Sequence, residues 1–320
     1  MAIIIQDGGD GLKKVLATAA VSLSFLVRTL ICAAIITGLG YFIFIYKAGG
    51  LDSDTGAGNA ADGSLLTAGG SGTQKNPYLI ETPEQLISFR DSVNGGHGYQ
   101  NTYFRQTADI DLGTYGYWVP IGEFASNNLF WGVYDGGGNA IINLHCDKDH
   151  TVNDNVGNVG FFGQLGGTVM NLGIDSGIID GAFCASITSH GAGAGPMVIN
   201  CYSYANVTAW GRGGGIADNF SGSIFNAWYG GNISAPEYGA ASSYSAKFVY
   251  GVYAFTKLTQ DNYFNGKLQN SQTVSKDNFD GVKIAELLNQ NIEGFAEALG
   301  YTPKDFTQWE FRDGRLCFKK

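Results

Sequence analysis

The feature that most constrains the fold is a short motif that recurs at a nearly constant spacing along the chain. In all copies but the last, an apolar residue stands two positions before an asparagine, and a mostly apolar residue follows the asparagine directly. The asparagines are Asn143, Asn171, Asn200, Asn226 and Asn262, at spacings of 28, 29, 26 and 36 residues. Such a repeat is typical of a solenoid, in which each coil buries its hydrophobic side against the neighbouring coils.

The position of the asparagine predicts a corner in each coil. The two apolar positions are three residues apart, so a straight strand would point their side chains to opposite faces. A bend at the asparagine turns both inward, and asparagine tolerates the left-handed backbone conformation that the bend requires. Identical asparagines stacked about 4.8 Å apart can hydrogen-bond amide to amide. We therefore predict an asparagine ladder through all five positions.

A second unit recurs eight residues before four of the predicted corners. Its copies are Gly132-Val133-Tyr134-Asp135, Gly160-Phe161-Phe162-Gly163, Gly215-Ile216-Ala217-Asp218 and Gly251-Val252-Tyr253-Ala254. The coil that ends at Asn200 has Ser189-His190-Gly191-Ala192 at this place, which predicts an irregular coil. The longer last spacing predicts an insertion within 236–247. The constant offset indicates an all-β chain, a right-handed parallel β-helix with its repeats at 131–268.

Both flanks of the repeats have the pattern of caps, which a solenoid needs because its end coils leave strand edges open. Thr82-Pro83-Glu84-Gln85 combines a helix N-cap, a proline at the first helical position and a capping box. Residues 73–130 are therefore predicted to be an amino-terminal cap with the first coils. Residues 269–320 contain two short helical patterns, Val282 to Leu288 and Ile292 to Leu299, and a hairpin. We expect them to seal the last coil.

These motifs resemble those of the bacterial GLUG-repeat proteins between Gly72 and Leu268. The matching segments are Gly72-Thr73, Pro77-Tyr78-Leu79-Ile80, Tyr103-Phe104, Thr107-Ala108-Asp109-Ile110-Asp111-Leu112, Pro120-Ile121-Gly122 and Asp135-Gly136. Gly160-Phe161-Phe162-Gly163 fits the tetrad that names the family, and the other copies are degenerate. The resemblance implies a β-helical segment of a surface or secreted bacterial protein, in some relatives attached to an immunoglobulin A peptidase. It implies no catalytic role for the repeat itself.

An apolar segment near the amino terminus predicts a membrane anchor. Thr29 to Tyr46 is uncharged over 18 residues, which is about 27 Å of helix and enough to cross the hydrocarbon core. The apolar pattern extends upstream, so the membrane helix is predicted at 15–47. Residues 48–72, rich in Gly, Ala, Ser and Asp, are expected to be a flexible linker.

The charges around this segment predict its orientation. Lys13, Lys14 and Arg28 precede the uncharged run, whereas Lys47 alone follows it before an acidic stretch. The positive-inside rule therefore places residues 1–14 in the cytoplasm and the large domain outside the cell. The alternative is a cleaved signal peptide and secretion, although bulky residues occupy the positions where cleavage needs small ones.

Charge and composition exclude several classes of partner. The chain has 28 acidic and 19 basic residues and a formal net charge of −9, so it lacks the positive surface that drives nucleic-acid binding. The 5 cysteines and 4 histidines have no disulfide or metal-site spacing. The polar residues Asp147, Asp149, Asn153 and Asp154 lack the EF-hand spacing, and we interpret them as a solvated loop. We therefore expect no metal and no other cofactor.

Three aromatic residues stand two positions after a predicted corner: Tyr202, Trp228 and Phe264. On successive coils they would form an outward aromatic strip, the kind of surface that stacks on sugar rings or on a protein partner. The alternative is that segment 236–247 or the carboxy-terminal cap covers the strip and makes it a small second core.

The sequence therefore predicts a membrane-anchored surface scaffold without catalytic residues, with an adhesive or ligand-binding role toward a glycan or a protein. The first alternative is a carbohydrate-active enzyme on the same fold, which would need clustered carboxylates. The residues to consider for that role are Asp109, Asp111, Asp135, Asp147, Asp149 and Asp154. The second alternative is a structural spacer or filament subunit. The ligand and the oligomeric state stay open.

Overall fold

The computed structural model describes residues 65–122, 127–147, 149, 158–193, 195–259 and 266–320. The predicted membrane helix and cytoplasmic segment lie outside these ranges, and so do Asn262, Phe264, Asn153 and Asp154. In the described ranges, no helix combines the length and the apolar character needed to cross a membrane. One compact unit holds the described residues up to Glu293 and from Thr302 onward, while Gly294–Tyr301 belong to a second unit.

The larger unit is a parallel β-helix of the right-handed type with about six turns. In chain order its strands are β1 Tyr78–Ile80, β2 Tyr103–Gln106, β3 Ile110–Asp111, β4 Val133–Asp135, β5 Ala140–Ile142, β6 Leu144–Cys146, β7 Asn158–Val159, β8 Phe162–Leu165, β9 Thr168–Met170, β10 Gly173–Ile174, β11 Gly177–Ala185, β12 Thr188–Gly191, β13 Met197–Ser203, β14 Asn206–Gly214, β15 Ala217–Phe220, β16 Ser223–Tyr229, β17 Ile233–Ser234, β18 Glu237–Gly239, β19 Ser242–Ser245, β20 Phe248–Ala254, β21 Lys267–Gln269, β22 Gln272–Thr273, β23 Trp309–Arg312 and β24 Arg315–Phe318. The helices are α1 Pro83–Asn94 and α2 Gly281–Phe295, with 3-10 turns at Lys276–Asn278, Glu297–Leu299 and Pro303–Asp305.

The strands of the coils form three parallel sheets. The first sheet has twelve strands and contains β1–β5, β9, β10, β13, β16 and β20–β22. The second sheet has six strands, β6, β7, β11, β14, β17 and β18, and the third has four, β8, β12, β15 and β19. The two strands β23 and β24 form a separate antiparallel hairpin. Each regular coil therefore crosses the first sheet, bends at a corner, and returns through the second and third sheets.

An aromatic and aliphatic core fills the coils. The register of the first sheet stacks Phe104, Tyr134, Val169, Val198 and Ile224 on successive coils. All five side chains are fully buried. The stacked side chains are large and aromatic in the first coils and aliphatic in the later ones. Each coil therefore packs closely against side chains of similar size in the neighbouring coil.

The corners of the regular coils lie at Asn171, Asn200 and Asn226, with φ angles of 51°, 54° and 56°. In the next coil, Phe225 pairs with Tyr250 and Ala227 with Val252, which places Gly251 opposite Asn226. Gly251 has a φ of 67° and therefore supplies the left-handed corner of this coil, since glycine satisfies the same backbone requirement as asparagine. Asn262 lies outside the described residues, so its place in the ladder stays a prediction.

The second repeated unit is only partly a structural repeat. Phe162 pairs with Thr188, and Thr188 pairs with Ala217, so the copies at Gly160 and Gly215 are equivalent in the third sheet. The intervening coil contributes residues 186–189 to this place, rather than the predicted 189–192. The copies at Gly132 and Gly251 lie in the first sheet instead. Segment 236–247 contains β18 and β19, so the predicted insertion there is an ordinary part of a coil.

Helix α1 covers the first coil. Thr82 accepts a hydrogen bond from the Gln85 amide while the Gln85 side chain accepts from the Thr82 amide, which is the predicted capping box. On the inner side of the helix Leu86, Phe89 and Val93 are fully buried. The Phe89 ring lies 4.4 Å from the Phe104 ring, so the helix closes the start of the core.

The carboxy-terminal residues do not seal the last coil as predicted. Residues 302–320, which we call the strap, contact the side of the β-helix at the asparagine corners. By contrast, the last strands, β21 and β22, are exposed along their length, and the Leu268 side chain of β21 is 43% exposed. The first of the two predicted helices lies within α2, which is longer than predicted and ends at Phe295. Beyond α2, the second predicted helix is only a 3-10 turn, Glu297–Leu299, capped by Gly300. The strap contains the predicted hairpin, β23–β24.

Candidate functional site

The predicted aromatic strip is buried under the carboxy-terminal residues. Tyr202 is 4% exposed and Trp228 is 1% exposed. The Tyr202 ring lies 5.1 Å from Phe318, and the Trp228 ring stacks 5.4 Å from Phe279. A ligand cannot reach these rings, so the alternative interpretation, a small second core beneath the carboxy-terminal cap, is the correct one. Phe264 lies outside the described residues.

The asparagine ladder is also buried, and its hydrogen bonds are internal. Asn226 donates to Asn200 at 2.8 Å, Asn200 donates to Asn171 at 2.8 Å, and Asn171 donates to Asp135 at 2.9 Å. The strap and α2 supply further partners: Asn200 donates to the Thr307 carbonyl and accepts from the Trp309 indole, and Asn226 accepts from Asn291 of α2. The ladder therefore holds coils and strap together and offers no surface to a ligand.

Asn143 belongs to a different corner from the one predicted. Its backbone has a φ of 57°, but its amide donates to the Asp111 carboxylate at 2.8 Å and accepts from the Ser176 hydroxyl at 3.3 Å. We call Asp111, Asn143 and Ser176 the second ladder. It lies where the first sheet passes into the second, and Asn143 is exposed to solvent. The second ladder is therefore accessible, whereas the first is covered.

An open cleft of about 590 Å³ lies along the second ladder. Its lining residues are Gly113, Gly116, Asn143, Leu144, His145, Ser176, Gly177, Ile178, Tyr204 and Asn206. The Tyr117 ring packs 4.5 Å from the imidazole of His145 and is 43% exposed. Ile178, on the neighbouring coil, is 52% exposed. Amide, hydroxyl, imidazole and apolar groups thus meet in one accessible place, as in many small-molecule sites.

The polar groups of the cleft are held in position by their own neighbours. The Gly113 amide and the Asn143 side chain both donate to Asp111 and hold its pKa below the usual value. Asn206 accepts from the backbone and side chain of Asn232, both at 3.1 Å. Because an amide oxygen has two lone pairs and an amide nitrogen two hydrogens, Asn143 can make further hydrogen bonds to a ligand.

The strap forms one end of the cleft. The Tyr204 hydroxyl accepts from the Leu316 amide at 2.7 Å and donates to its carbonyl at 3.1 Å. The Arg315 guanidinium lies 3.9 Å from the centre of the Tyr204 ring and pairs with Asp175 at 3.1 Å. Burial raises the pKa of Tyr204 to about 12, so this phenol stays neutral, and its hydrogen bonds and ring contact tie this end of the cleft to the strap.

The carboxylates considered for catalysis have structural partners or lie apart from the cleft. Asp109 pairs with Lys320, and Asp135 pairs with Arg105 and accepts from Asn171. Asp147 accepts from the Asp149 amide. Among the residues that the structure describes, no cluster of three or more His, Cys, Asp or Glu side chains is arranged to hold a metal ion.

One carboxylate that sequence reasoning did not single out is strongly perturbed. Asp218 is fully buried, and burial raises its pKa to about 6 despite the neighbouring Arg212 guanidinium at 3.2 Å. Ser243 donates to the same carboxylate. The Arg212 side chain lies between the rings of Phe183 and Tyr244. This cluster is closed to solvent at the carboxylate, so it ties the second and third sheets together rather than forming a site.

The sequence contained a signal for part of the cleft. Asn206-Val207-Thr208 and Asn232-Ile233-Ser234 are separated by the same 26 residues as Asn200 and Asn226, which marks two aligned strand starts on neighbouring coils. His145 and Ile178 carry no comparable signal, because their exposure depends on the pairing of β6 with β11, in which Ile178 lies opposite His145.

Comparisons with known proteins give limited matches. No family model matches the chain. A protein provisionally named a Gly-rich membrane protein, from Evansella cellulosilytica, is 39% identical over 122 residues, which cover 36% of this chain and 12% of that protein. Halomucin from Haloquadratum walsbyi is 32% identical over 143 residues, 43% of this chain and 1% of that protein. The chain thus spans a small fraction of either relative.

A solved structure provides one further likeness. It is the crystal structure of a provisionally assigned immunoglobulin A1 protease from Bacteroides ovatus, at a TM-score of 0.49 and 18% sequence identity. The alignment covers 79% of this chain and 95% of that one.

Proposed function

We propose that this chain is a membrane-anchored, extracytoplasmic β-helix that binds a neutral glycan in the cleft along the second ladder. The observation that carries the proposal is the lining of the cleft. It combines the amides of Asn143 and Asn206, the imidazole of His145 and the exposed apolar side chain of Ile178. Beside His145 stands the half-exposed ring of Tyr117.

The chemistry of these groups fits a sugar. A sugar hydroxyl both donates and accepts hydrogen bonds. An amide, a hydroxyl and an imidazole can each donate to it and accept from it. The C–H face of a pyranose ring packs on aromatic and aliphatic side chains. The net charge of −9 disfavours polyanionic ligands, which makes a neutral glycan the better match.

Binding is favoured over hydrolysis by the same lining. Most glycosidases place two carboxyl groups on either side of the bond that they cleave. The described residues that line this cleft include no Asp or Glu, and the nearby Asp111 is engaged by Gly113 and Asn143. An adhesive or recognition role is therefore the function that we propose.

The test is a screen of the full chain against an array of neutral glycans, with His145→Ala as the cleft variant. His97→Ala is the matched control, because His97 is an exposed histidine beside α1 and away from the cleft. Losing one hydrogen bond of about 1 kcal/mol should weaken retention about fivefold in the cleft variant only. Retention on no neutral glycan, or equal retention by both variants and the parent chain, would overturn the proposal. Release of reducing sugar from a retained glycan would instead identify an enzyme.

We also propose the anchor at 15–47 and kinship with the GLUG-repeat proteins. The uncharged run and the charge bias around it support the anchor, and one relative carries the name of a membrane protein. The alignment of the Gly160 and Gly215 units in one sheet supports a common repeat. Carbonate extraction of membranes tests the anchor, which predicts that the chain stays in the pellet. A soluble chain whose amino terminus begins beyond residue 47 would instead indicate a cleaved signal peptide.

A further inference from the structure

We propose that the cleft continues along the outer face of β14 as a track that ends at Trp210, so that its ligand is an oligosaccharide rather than a single sugar. This inference rests on the proposed function and specifies the length of its ligand. The cleft and the track share Asn206 and Ile178, which line the cleft and also begin the outer face of the second sheet.

The alternation of β14 creates the track. Asn206, Thr208 and Trp210 point outward and are exposed, whereas Val207 and Ala209 between them are buried in the core. On the preceding coil, Ile178 pairs with Asn206 and Asp180 pairs with Thr208. On the following coil, Ser234 pairs with Thr208. The hydroxyl groups of Thr208 and Ser234 and the carboxylate of Asp180 therefore lie between the cleft at one end and the indole at the other.

The backbone holds Trp210 outward. The pairing of β11 with β14 shifts register just beyond Gly181 and Ala209, which is a bulge. At Gly211 an added Cβ would approach the Ala182 carbonyl to 2.6 Å, so the strands are in close contact directly after the tryptophan. Trp210 is 51% exposed, although burying its indole would be favourable. An indole held in solvent beside hydroxyl groups offers a face on which a sugar ring can stack.

Trp131 shows what a packing role looks like in the same chain. It is 41% exposed, but its ring lies against Gly98, Gly166 and Gly193. An added Cβ at any of these glycines would come within 3.0 Å of the indole. The glycines leave room for the ring, so the position of Trp131 is explained by the fold. Trp131 is therefore a matched control for Trp210.

The geometry sets the length of the ligand. From Asn206 to Trp210 the strand rises about 13 Å, at about 3.3 Å per residue. This distance is greater than one sugar ring and comparable with a short oligosaccharide. A monosaccharide in the cleft cannot contact Trp210, whereas a chain that follows the strand contacts the cleft, the Thr208 hydroxyl and the indole together.

The experiment measures the affinity of the full chain for three ladders of neutral oligosaccharides, built from glucose, mannose or N-acetylglucosamine, from the monosaccharide to the hexasaccharide. Affinity should rise with length until the ligand spans the track. Trp210→Ala should weaken the longest ligands about fivefold, since one aromatic contact contributes about 1 kcal/mol. It should leave the shortest ligand that binds unchanged. Trp210→Phe should restore most of the loss, and Trp131→Ala should have no effect at any length.

The outcomes separate this inference from the proposed function. If His145→Ala weakens binding at every length and Trp210→Ala weakens it at none, the cleft binds glycans and the track is wrong. If no member of any ladder binds, both proposals fall. Far-UV circular dichroism and the melting temperature of each variant show whether misfolding causes a loss of binding. We expect no misfolding in Trp210→Ala, because Trp210 is half-exposed.

Discussion

Removing the central asparagine of the buried ladder should destabilise this protein far more than removing the exposed one. Asn200 is fully buried, and all four of its side-chain hydrogen bonds are made. It donates to Asn171 at 2.8 Å and to the Thr307 carbonyl at 2.9 Å. It accepts from Asn226 at 2.8 Å and from the Trp309 indole at 2.6 Å. Asn200→Ala therefore deprives four groups of a partner at once, three of them on the buried residues Asn171, Asn226 and Trp309 and the fourth on half-buried Thr307.

The magnitude follows from these contacts. Each buried polar group left without a partner costs about 1–3 kcal/mol, although Asn171 keeps the Thr307 amide as a donor at 3.1 Å. Alanine at a φ of 54° adds about 1 kcal/mol of backbone strain. We expect the free energy of unfolding to fall by about 5 kcal/mol, a large share of the total stability of a typical domain. Asn200→Gly loses the same hydrogen bonds but has no backbone strain, so it should be about 1 kcal/mol more stable than Asn200→Ala.

Equilibrium unfolding in urea, followed by circular dichroism and by tryptophan fluorescence, measures this loss. The control is Asn143→Ala, which removes an asparagine with a similar φ of 57° but an exposed side chain and fewer partners. Its loss should be about 2 kcal/mol. If Asn200→Ala and Asn143→Ala lose the same free energy, then the burial and the strap contacts of the first ladder do not contribute as argued.

Three further predictions concern the core, the buried carboxylate and the thiols. Phe89→Ala should lower the free energy of unfolding by about 3–5 kcal/mol, because it opens a cavity between α1 and the first coil; thermal unfolding measures it, and a loss below 1 kcal/mol would contradict the capping role of α1. Burial raises the pKa of Asp218 from 3.8 to about 6, so its contribution to stability is present below pH 4 and is lost as the pH rises toward 6. Asp218→Asn should remove that pH dependence from urea unfolding measured between pH 4 and 7, and an unchanged profile would exclude Asp218 as its source. Among the described cysteines, half-buried Cys317 should react with a thiol reagent first, since the thiols of Cys146, Cys184 and Cys201 are fully buried and burial raises the pKa of all four; mass spectrometry after brief labelling identifies the site.

The features of the fold that depend on local backbone constraints could be predicted from the sequence. The corners at Asn171, Asn200 and Asn226 were predictable because a left-handed backbone and an amide ladder require a particular residue at a constant spacing. The corner opposite Asn226 was not, because Gly251 meets the backbone requirement without the side chain that marks a ladder. The same ambiguity of glycine made the units at Gly132 and Gly251 look equivalent to those at Gly160 and Gly215.

The exposure of side chains was harder to predict, since it depends on residues distant in the sequence. Tyr202 looked like a surface residue by its position after a corner, yet Trp309 and Phe318 cover it from more than 100 residues away. The strap has no repeat and no periodicity that would show where it packs. The cleft was missed for the converse reason: Asn143 was assigned to the first ladder, so the accessible second ladder had no predicted members.

The location of the strap explains why the two ladders serve different purposes. Both use asparagine at a left-handed corner, and both connect successive coils by side-chain hydrogen bonds. Along the first ladder the strap supplies carbonyl and indole partners, and the amides become part of the core. Among the described residues, the strap contacts Tyr204 at the end of the cleft and the nearby Asp175, which leaves Asn143 of the second ladder in solvent with hydrogen-bonding capacity to spare. A ligand that binds the cleft would therefore supply hydrogen-bond partners to the second ladder, as the strap does to the first. Because such a ligand binds the folded chain, its stabilisation should grow as RT ln(1 + c/Kd), where c is the ligand concentration, so the melting temperature should keep rising with glycan concentration.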